Sequence, residues 1–220
     1  MTKFLNNLIF ALGLAVLIFV GCKQSNSPVA KDVTQMTIAE LKPFADTGNP
    51  AAEYELGKRF YSGNGILKDS TEAVEWWQKA AAQKFPPAEL DLGLAYLKGD
   101  GVPKDEREGV RLCHLAADFG LPRAKEAVGM FYFLGVFDFP KDYTNAFYSF
   151  KAAANQNYPP AQYYLALCFR DGKGTSTNSS EAVSWLQRAA SNGLANAQTR
   201  LGRYYADKGL AQVGSSPSFS

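Results

Sequence analysis

Few residues in this chain of 220 could carry out chemistry. His114 is the only histidine. A lone imidazole acts as base or ligand only beside a nucleophile or further ligands, and none accompanies it in sequence. The cysteines are Cys22, Cys113 and Cys168, with no Cys or His pair at ligand spacing, so a structural zinc site is not indicated. No Ser-x-x-Lys motif supplies a serine nucleophile. Asp105-Glu106-Arg107-Glu108 is a dense charge cluster, but it reads more simply as the acidic first turn of a helix, which the helix dipole favours. Gly63-Asn64-Gly65, Gly99-Asp100-Gly101 and Gly172-Lys173-Gly174 would cradle phosphate only between a strand and a helix, and no strand pattern flanks them. Asn178-Ser179-Ser180 matches a glycosylation sequon. These residues predict no catalytic group, no metal and no cofactor. His114 is expected to face solvent or pack, and Cys113 and Cys168 to be buried thiols.

The elements that hold these residues repeat. Aligned on Ala52, Ala88, Ala124 and Ala161, the chain shows four units 36 or 37 residues apart. Four residues into each stands Leu56-Gly57, Leu92-Gly93, Val128-Gly129 or Leu165-Ala166, and then comes an aromatic: Phe60, Tyr96, Tyr132 or Phe169. A Gly-x-Gly turn, a polar residue (Asp69, Asp105, Asp142, Asn178) and a doubled alanine complete the unit. Ala, Leu and the aromatic at positions 0, 4 and 8 form one helical stripe. Gly-x-Gly ends the first helix, where left-handed dihedrals are needed. The Asp or Asn caps a second helix. Each unit is therefore a helix pair that cannot bury its stripes alone, so the pairs must stack. The fold class is all-α: a solenoid of stacked antiparallel helix pairs. Thr37–Thr47 reads as a leading half-unit, and Ala197–Lys208 as a lone capping helix with Leu201-Gly202 and Tyr205.

This pattern resembles the Sel1-like repeat family, relatives of the tetratricopeptide repeats, over about residues 37–208. The shared motif is Ala-x3-Leu-Gly-x2-Tyr-x2-Gly-x-Gly, then Asp-x3-Ala-x2-Trp, then Ala-Ala-x2-Gly. Unit one carries Asp69, Ala73 and Trp76, and unit four Asn178, Ala182 and Trp185. Unit two departs with Gly109 and Leu112. Unit three departs further, with Phe137 in the place of the second turn glycine and one extra residue before Asp142, so an altered turn is expected there. Some secreted members of the family staple each helix pair with a disulfide; this chain lacks that cysteine spacing.

Composition is ordinary for a globular chain, with 46% hydrophobic and 20% charged residues. A formal charge of +2 gives no electrostatic case for nucleic acid. At the N-terminus, Lys3 precedes an apolar run of 13 residues, Leu8–Val20. That is the length of a secretory signal rather than of a membrane span. Phe19-Val20-Gly21-Cys22 resembles the bacterial lipobox, which implies acylation of Cys22 and a lipid anchor in the cell envelope. Lys23, where an Asp would signal inner-membrane retention, favours the outer membrane, facing periplasm or cell surface. The expected organisation is a signal peptide at 1–22, a flexible tether at 23–35, a solenoid at 36–208 and a flexible tail at 209–220. The repeats fall at about 52–87, 88–123, 124–160 and 161–196.

On the first helices, positions 2, 6 and 9 lie opposite the stripe that stacks. By resemblance to tetratricopeptide arrays they line the concave side. They are Tyr54, Lys58 and Tyr61 in unit one, Leu90, Leu94 and Leu97 in unit two, and Glu126, Met130 and Phe133 in unit three. Unit four gives Tyr163, Leu167 and Arg170, and the cap gives Arg203. An apolar middle on a face that should be solvated marks a partner site, unless the superhelix packs these residues on one another. The expected function is a monomeric, membrane-anchored scaffold that binds a protein or peptide. The alternative is a cell-wall-related enzyme or ligand-binding protein, β-lactamase-like or peptidoglycan-binding.

Overall fold

The computed structural model describes residues 32–214 apart from Asp138, with only the backbone for 208–214. Cys22 and the expected signal peptide lie outside the described residues. Asp32 caps a single 3-10 turn, Val33–Gln35, so the last residues of the expected tether are locally ordered.

Ten α-helices follow, and no strand occurs among the described residues. They are α1 (Ile38–Asp46), α2 (Pro50–Ser62), α3 (Ser70–Ala82), α4 (Pro86–Lys98), α5 (Glu106–Asp118), α6 (Pro122–Leu134), α7 (Tyr143–Ala154), α8 (Pro159–Asp171), α9 (Ser179–Ser191) and α10 (Ala195–Gly214). Consecutive helices pack on one another, which is the expected solenoid: α2, α4, α6 and α8 are first helices, and α3, α5, α7 and α9 their second helices. α1 is the leading second helix. α10 is the closing first helix and runs to Gly214, six residues beyond the expected end of the array at Lys208, into the segment expected to be a flexible tail. No described helix is long and apolar enough to cross a membrane.

The helix ends follow the sequence chemistry. Thr37 forms a capping box with Glu40. Asp69, Asp105, Asp142 and Asn178 are each the N-cap of a second helix and accept hydrogen bonds from backbone N–H groups of its first turn. Such caps stabilise by about 1 kcal/mol each. Asn178 therefore has a structural role within the sequon. First helices instead begin with proline inside the first turn, at Pro50, Pro86, Pro122 and Pro159, where a missing N–H costs nothing.

Small residues set the helix separation. A Cβ on Gly57 would lie 2.6 Å from the Trp77 ring, and one on Gly93 would lie 2.8 Å from the Gly109 carbonyl. Unit two thus packs glycine on glycine, and Cys113 stands against Gly93 where Trp77 stands against Gly57. In unit three Gly135 ends α6 in the left-handed region, and Phe137 takes the second glycine's place at φ 57°. The strain is held by packing: Phe137 meets Phe131 edge-on at 5.3 Å, and Phe139 meets Tyr132 edge-on and stacks on His114. The expected altered turn is present and folds back over α5 and α6. His114 is a packed residue, and burial lowers its pKa.

Candidate functional site

The open face of the first helices is narrower than a helical wheel predicts. Leu90 is 0% and Leu97 7% exposed, inside a cluster with Cys113, Ala116, Ala124, Val128 and Phe131. The expected apolar stripe is therefore not open at these two positions. A first helix contacts the preceding unit, its own second helix and the following unit, so its buried arc exceeds half a turn and takes in positions 2 and 9. What remains open runs through positions 6 and 10, with position 3 buried at Glu55 and half-buried at Asp91, Ala127 and Tyr164. Tyr54 and Tyr61 reach across to unit two. The Tyr54 hydroxyl donates to Asp91 at 2.9 Å and the Tyr61 hydroxyl hydrogen-bonds Asp100, while the Tyr61 ring lies 5.3 Å from Trp77 of its own unit. Met130, Phe133 and Tyr163 are half-buried. Phe133 lies 5.4 Å from Tyr143 and 6.1 Å from Phe150. Glu126 is also half-buried, and desolvation raises its pKa against the opposing charge of Arg123.

Two cavities open on this face. The one nearer the N-terminus, about 360 Å³, lies between α2 and α4 and is lined by Tyr54, Lys58, Arg59, Asp91, Leu94 and Arg123 among others. Its charges are matched internally. Glu55 accepts from Lys58 at 2.8 Å and from Arg59 at 3.1 Å. Asp91 accepts from both Tyr54 and Arg123, the latter at 2.6 Å. Burial, then the adjacent Asp91 carboxylate, pushes the Tyr54 hydroxyl well above its ordinary pKa. The cavity nearer the C-terminus, about 470 Å³, lies among α8, α9 and α10, with Leu167, Arg170, Leu186, Arg200, Arg203 and Tyr204 on its walls.

The structure therefore gathers Tyr54, Lys58, Tyr61 and Leu94 at one end, and Tyr163, Leu167, Arg170 and Arg203 at the other. Sequence reasoning missed Glu55, Asp91 and Arg200 at position 3, and Arg123 just ahead of its unit. Charge at position 3, acidic in Glu55 and Asp91 and basic in Arg200, was the available signal. Cys113 and Cys168 are free and fully buried, as expected, and burial pushes their thiols up to about 12 and about 11. No cluster of metal-binding side chains occurs among the described residues.

One buried carboxylate stands apart. At position 1, Glu53 accepts from Gln83 at 2.7 Å, and the Gln162 carbonyl accepts from Asn192 at 3.1 Å; both donors are C-caps of second helices. Glu89 occupies the same slot in unit two, but the corresponding C-cap is Phe119, which has nothing to donate. Glu89 Oε2 is left without a hydrogen bond, and burial raises the group's pKa.

The Sel1 repeat model matches residues 50–85, 86–120, 122–158, 159–194 and 195–218, well over half the chain. The chain is a Sel1 repeat protein. The fifth match begins on α10, which was read as a capping half-unit. Sel1 repeats generally serve as protein-interaction scaffolds. A Sel1 repeat protein from Oxalobacter formigenes superposes with TM-score 0.69 at 31% identity, over 74% of this chain and 64% of that one. A protective antigen of uropathogenic Escherichia coli with an SLR fold superposes with TM-score 0.70 at 33% identity, over 79% of this chain and 37% of that one. The secretory immunoglobulin A-binding protein EsiB of Escherichia coli O6:H1 (strain CFT073) is 38% identical over 45 residues, 20% of this chain and 9% of that protein. The chain thus spans less than a tenth of that curated relative and only part of the two solved ones.

Proposed function

We propose that the chain is a lipid-anchored scaffold of the bacterial envelope that binds a protein or peptide along the open face of its first helices, with no reaction of its own. The observation that carries the reading is the row at position 6: Lys58, Leu94, Met130, Leu167 and Arg203. Its three central members are apolar and half-buried, and Leu94 and Leu167 line the two cavities. An apolar row between polar ends, including a pliable methionine, suits an extended partner. Recognition of another protein is also what the name of EsiB records for that relative. The anchor is Cys22, and Lys23 beside it favours the outer membrane.

A photo-crosslinking residue placed at Leu94 or Leu167 in intact cells should give a discrete adduct, and one at the exposed Tyr148 should not. Replacing Leu94, Met130 and Leu167 together with Glu should abolish partner capture while leaving helicity intact. Equal adducts from Tyr148 and Leu94, or unchanged capture by the triple variant, would rule the face out. Cys22→Ser should release the protein from the membrane fraction.

A further inference from the structure

The C-terminal cavity occupies a space that aromatic side chains fill one unit earlier. Among α6, α7 and α8 that space holds Phe133, Phe147, Phe150 and Tyr164, with Phe150 and Tyr164 stacked at 5.2 Å. The residues in register in the next unit are Arg170, Val183, Leu186 and Arg200. Two aromatics have become shorter aliphatics and two have become arginines. The cover differs as well. The turn glycine Gly174 sits so close to the Tyr143 carbonyl that an added Cβ would clash with it, and so closes the earlier space. In register with Gly174 is residue 210, where α10 continues as helix, so no turn covers Ser179 on the cavity wall.

The charges there are unbalanced. Arg170 is neutralised by Asp171, at 2.6 Å. Arg200 makes a ring contact with Tyr163 at 5.8 Å and forms no salt bridge among the described residues. Neither Arg203 nor Asp207 beside it has a salt-bridge partner among the described residues. Guanidinium groups are planar forks that match carboxylates, and an unpaired pair of them beside a hollow selects a negatively charged group.

We propose that this cavity seats an acidic peptide segment. One apolar side chain of the segment enters the hollow against Leu167, Val183 and Leu186, and flanking Asp or Glu carboxylates lie on Arg200 and Arg203. The inference rests on the partner-binding face proposed above and names the chemistry of what binds at its C-terminal end. A peptide fits better than nucleic acid, because the cavity opens on an apolar row and the chain's formal charge is only +2.

The test uses the purified full chain and three fluorescein-labelled decapeptides: one of alternating Glu and Leu, one with Gln for every Glu, and one with Gly for every Leu. Fluorescence anisotropy should show the Glu-Leu peptide binding at least about tenfold more tightly than either control. The exposed pair Arg200→Gln with Arg203→Gln should remove that preference at unchanged circular dichroism, the Lys pair should restore part of it, and Arg107→Ala, at an exposed position of α5 away from this face, should leave it intact. Absence of binding overturns the inference, as does equal binding of the Gln peptide or displacement by inorganic phosphate as effective as by unlabelled peptide. Binding of the Gln peptide that is lost in the Leu94, Met130 and Leu167 triple Glu variant would overturn the acidic assignment alone and leave the partner-binding face standing.

Discussion

The two cavities of the open face stand on the same row of side chains and differ in how they are closed. At the N-terminal end, Asp91 ties Tyr54 of one unit to Arg123 of another, and Glu55 holds Lys58 and Arg59. At the C-terminal end, Arg200 and Arg203 form no salt bridge among the described residues, and aliphatics stand where the preceding unit has phenylalanine. The same backbone repeat thus makes a strut at one end and, in the proposal above, a receptor at the other. In a solenoid each unit contacts only its neighbours, so a few side-chain exchanges can change one interface without disturbing the next.

The largest test of this contrast lies in unit three, where the hollow is filled. Phe150 is fully buried among Phe133, Tyr164 and Gly129. Phe150→Ala should cost about 3–5 kcal/mol in urea denaturation, because it opens there the space that unit four has by sequence. A loss near zero would show that unit three is not closed by its aromatics. Next, Asp91→Ala should cost about 2 kcal/mol, since it strips partners from both Tyr54 and Arg123. Asp207→Ala at the other end should cost no more than about 0.5 kcal/mol. Equal losses would erase the distinction between strut and receptor.

A smaller effect is expected at Glu89. Burial raises its folded pKa above the unfolded value of 4.5, so folding favours the protonated form. Stabilisation from that proton is full below the unfolded value and is lost as pH rises through the folded one. Glu89→Gln stays neutral throughout. It should therefore exceed the wild type at neutral pH by about 1 kcal/mol, with the advantage closing as the pH falls toward the unfolded value. A pH-independent difference in melting curves would place the cause elsewhere. Smallest of all, Val183→Phe should restore the register of Phe147 and stabilise the chain by up to about 1 kcal/mol, while abolishing binding of the Glu-Leu peptide. Retained binding would mean that the hollow itself is not used.

Much of the architecture was legible because it is local. Alanines at 52, 88, 124 and 161, the glycine turns and the Asp or Asn caps each report a helix face or a helix end within a few residues of themselves. The unusual turn at Phe137 was also legible, as a broken repeat. The open face was legible only in part. Leu94, Met130, Leu167 and Arg203 were placed on it because position 6 is open on any reading of the wheel. Leu90 and Leu97 were misplaced because a wheel knows one buried side, and here three neighbours bury each first helix. The end of the array was misjudged because Gly209-Leu210 carries no Gly-x-Gly stop, and α10 simply continues.

The sequence by itself determined the helix pairs, their period and their stacking, since spacing, capping and glycine placement act along the chain and repeat with it. Only the tertiary structure decided which side chains face the open groove, that Asp91 answers Tyr54 and Arg123, that Glu89 Oε2 is left without a hydrogen bond, and that arginines rim an unfilled space at the C-terminal end. Each of those facts joins residues of different units, and a charge is satisfied or left over according to what lies beside it in space.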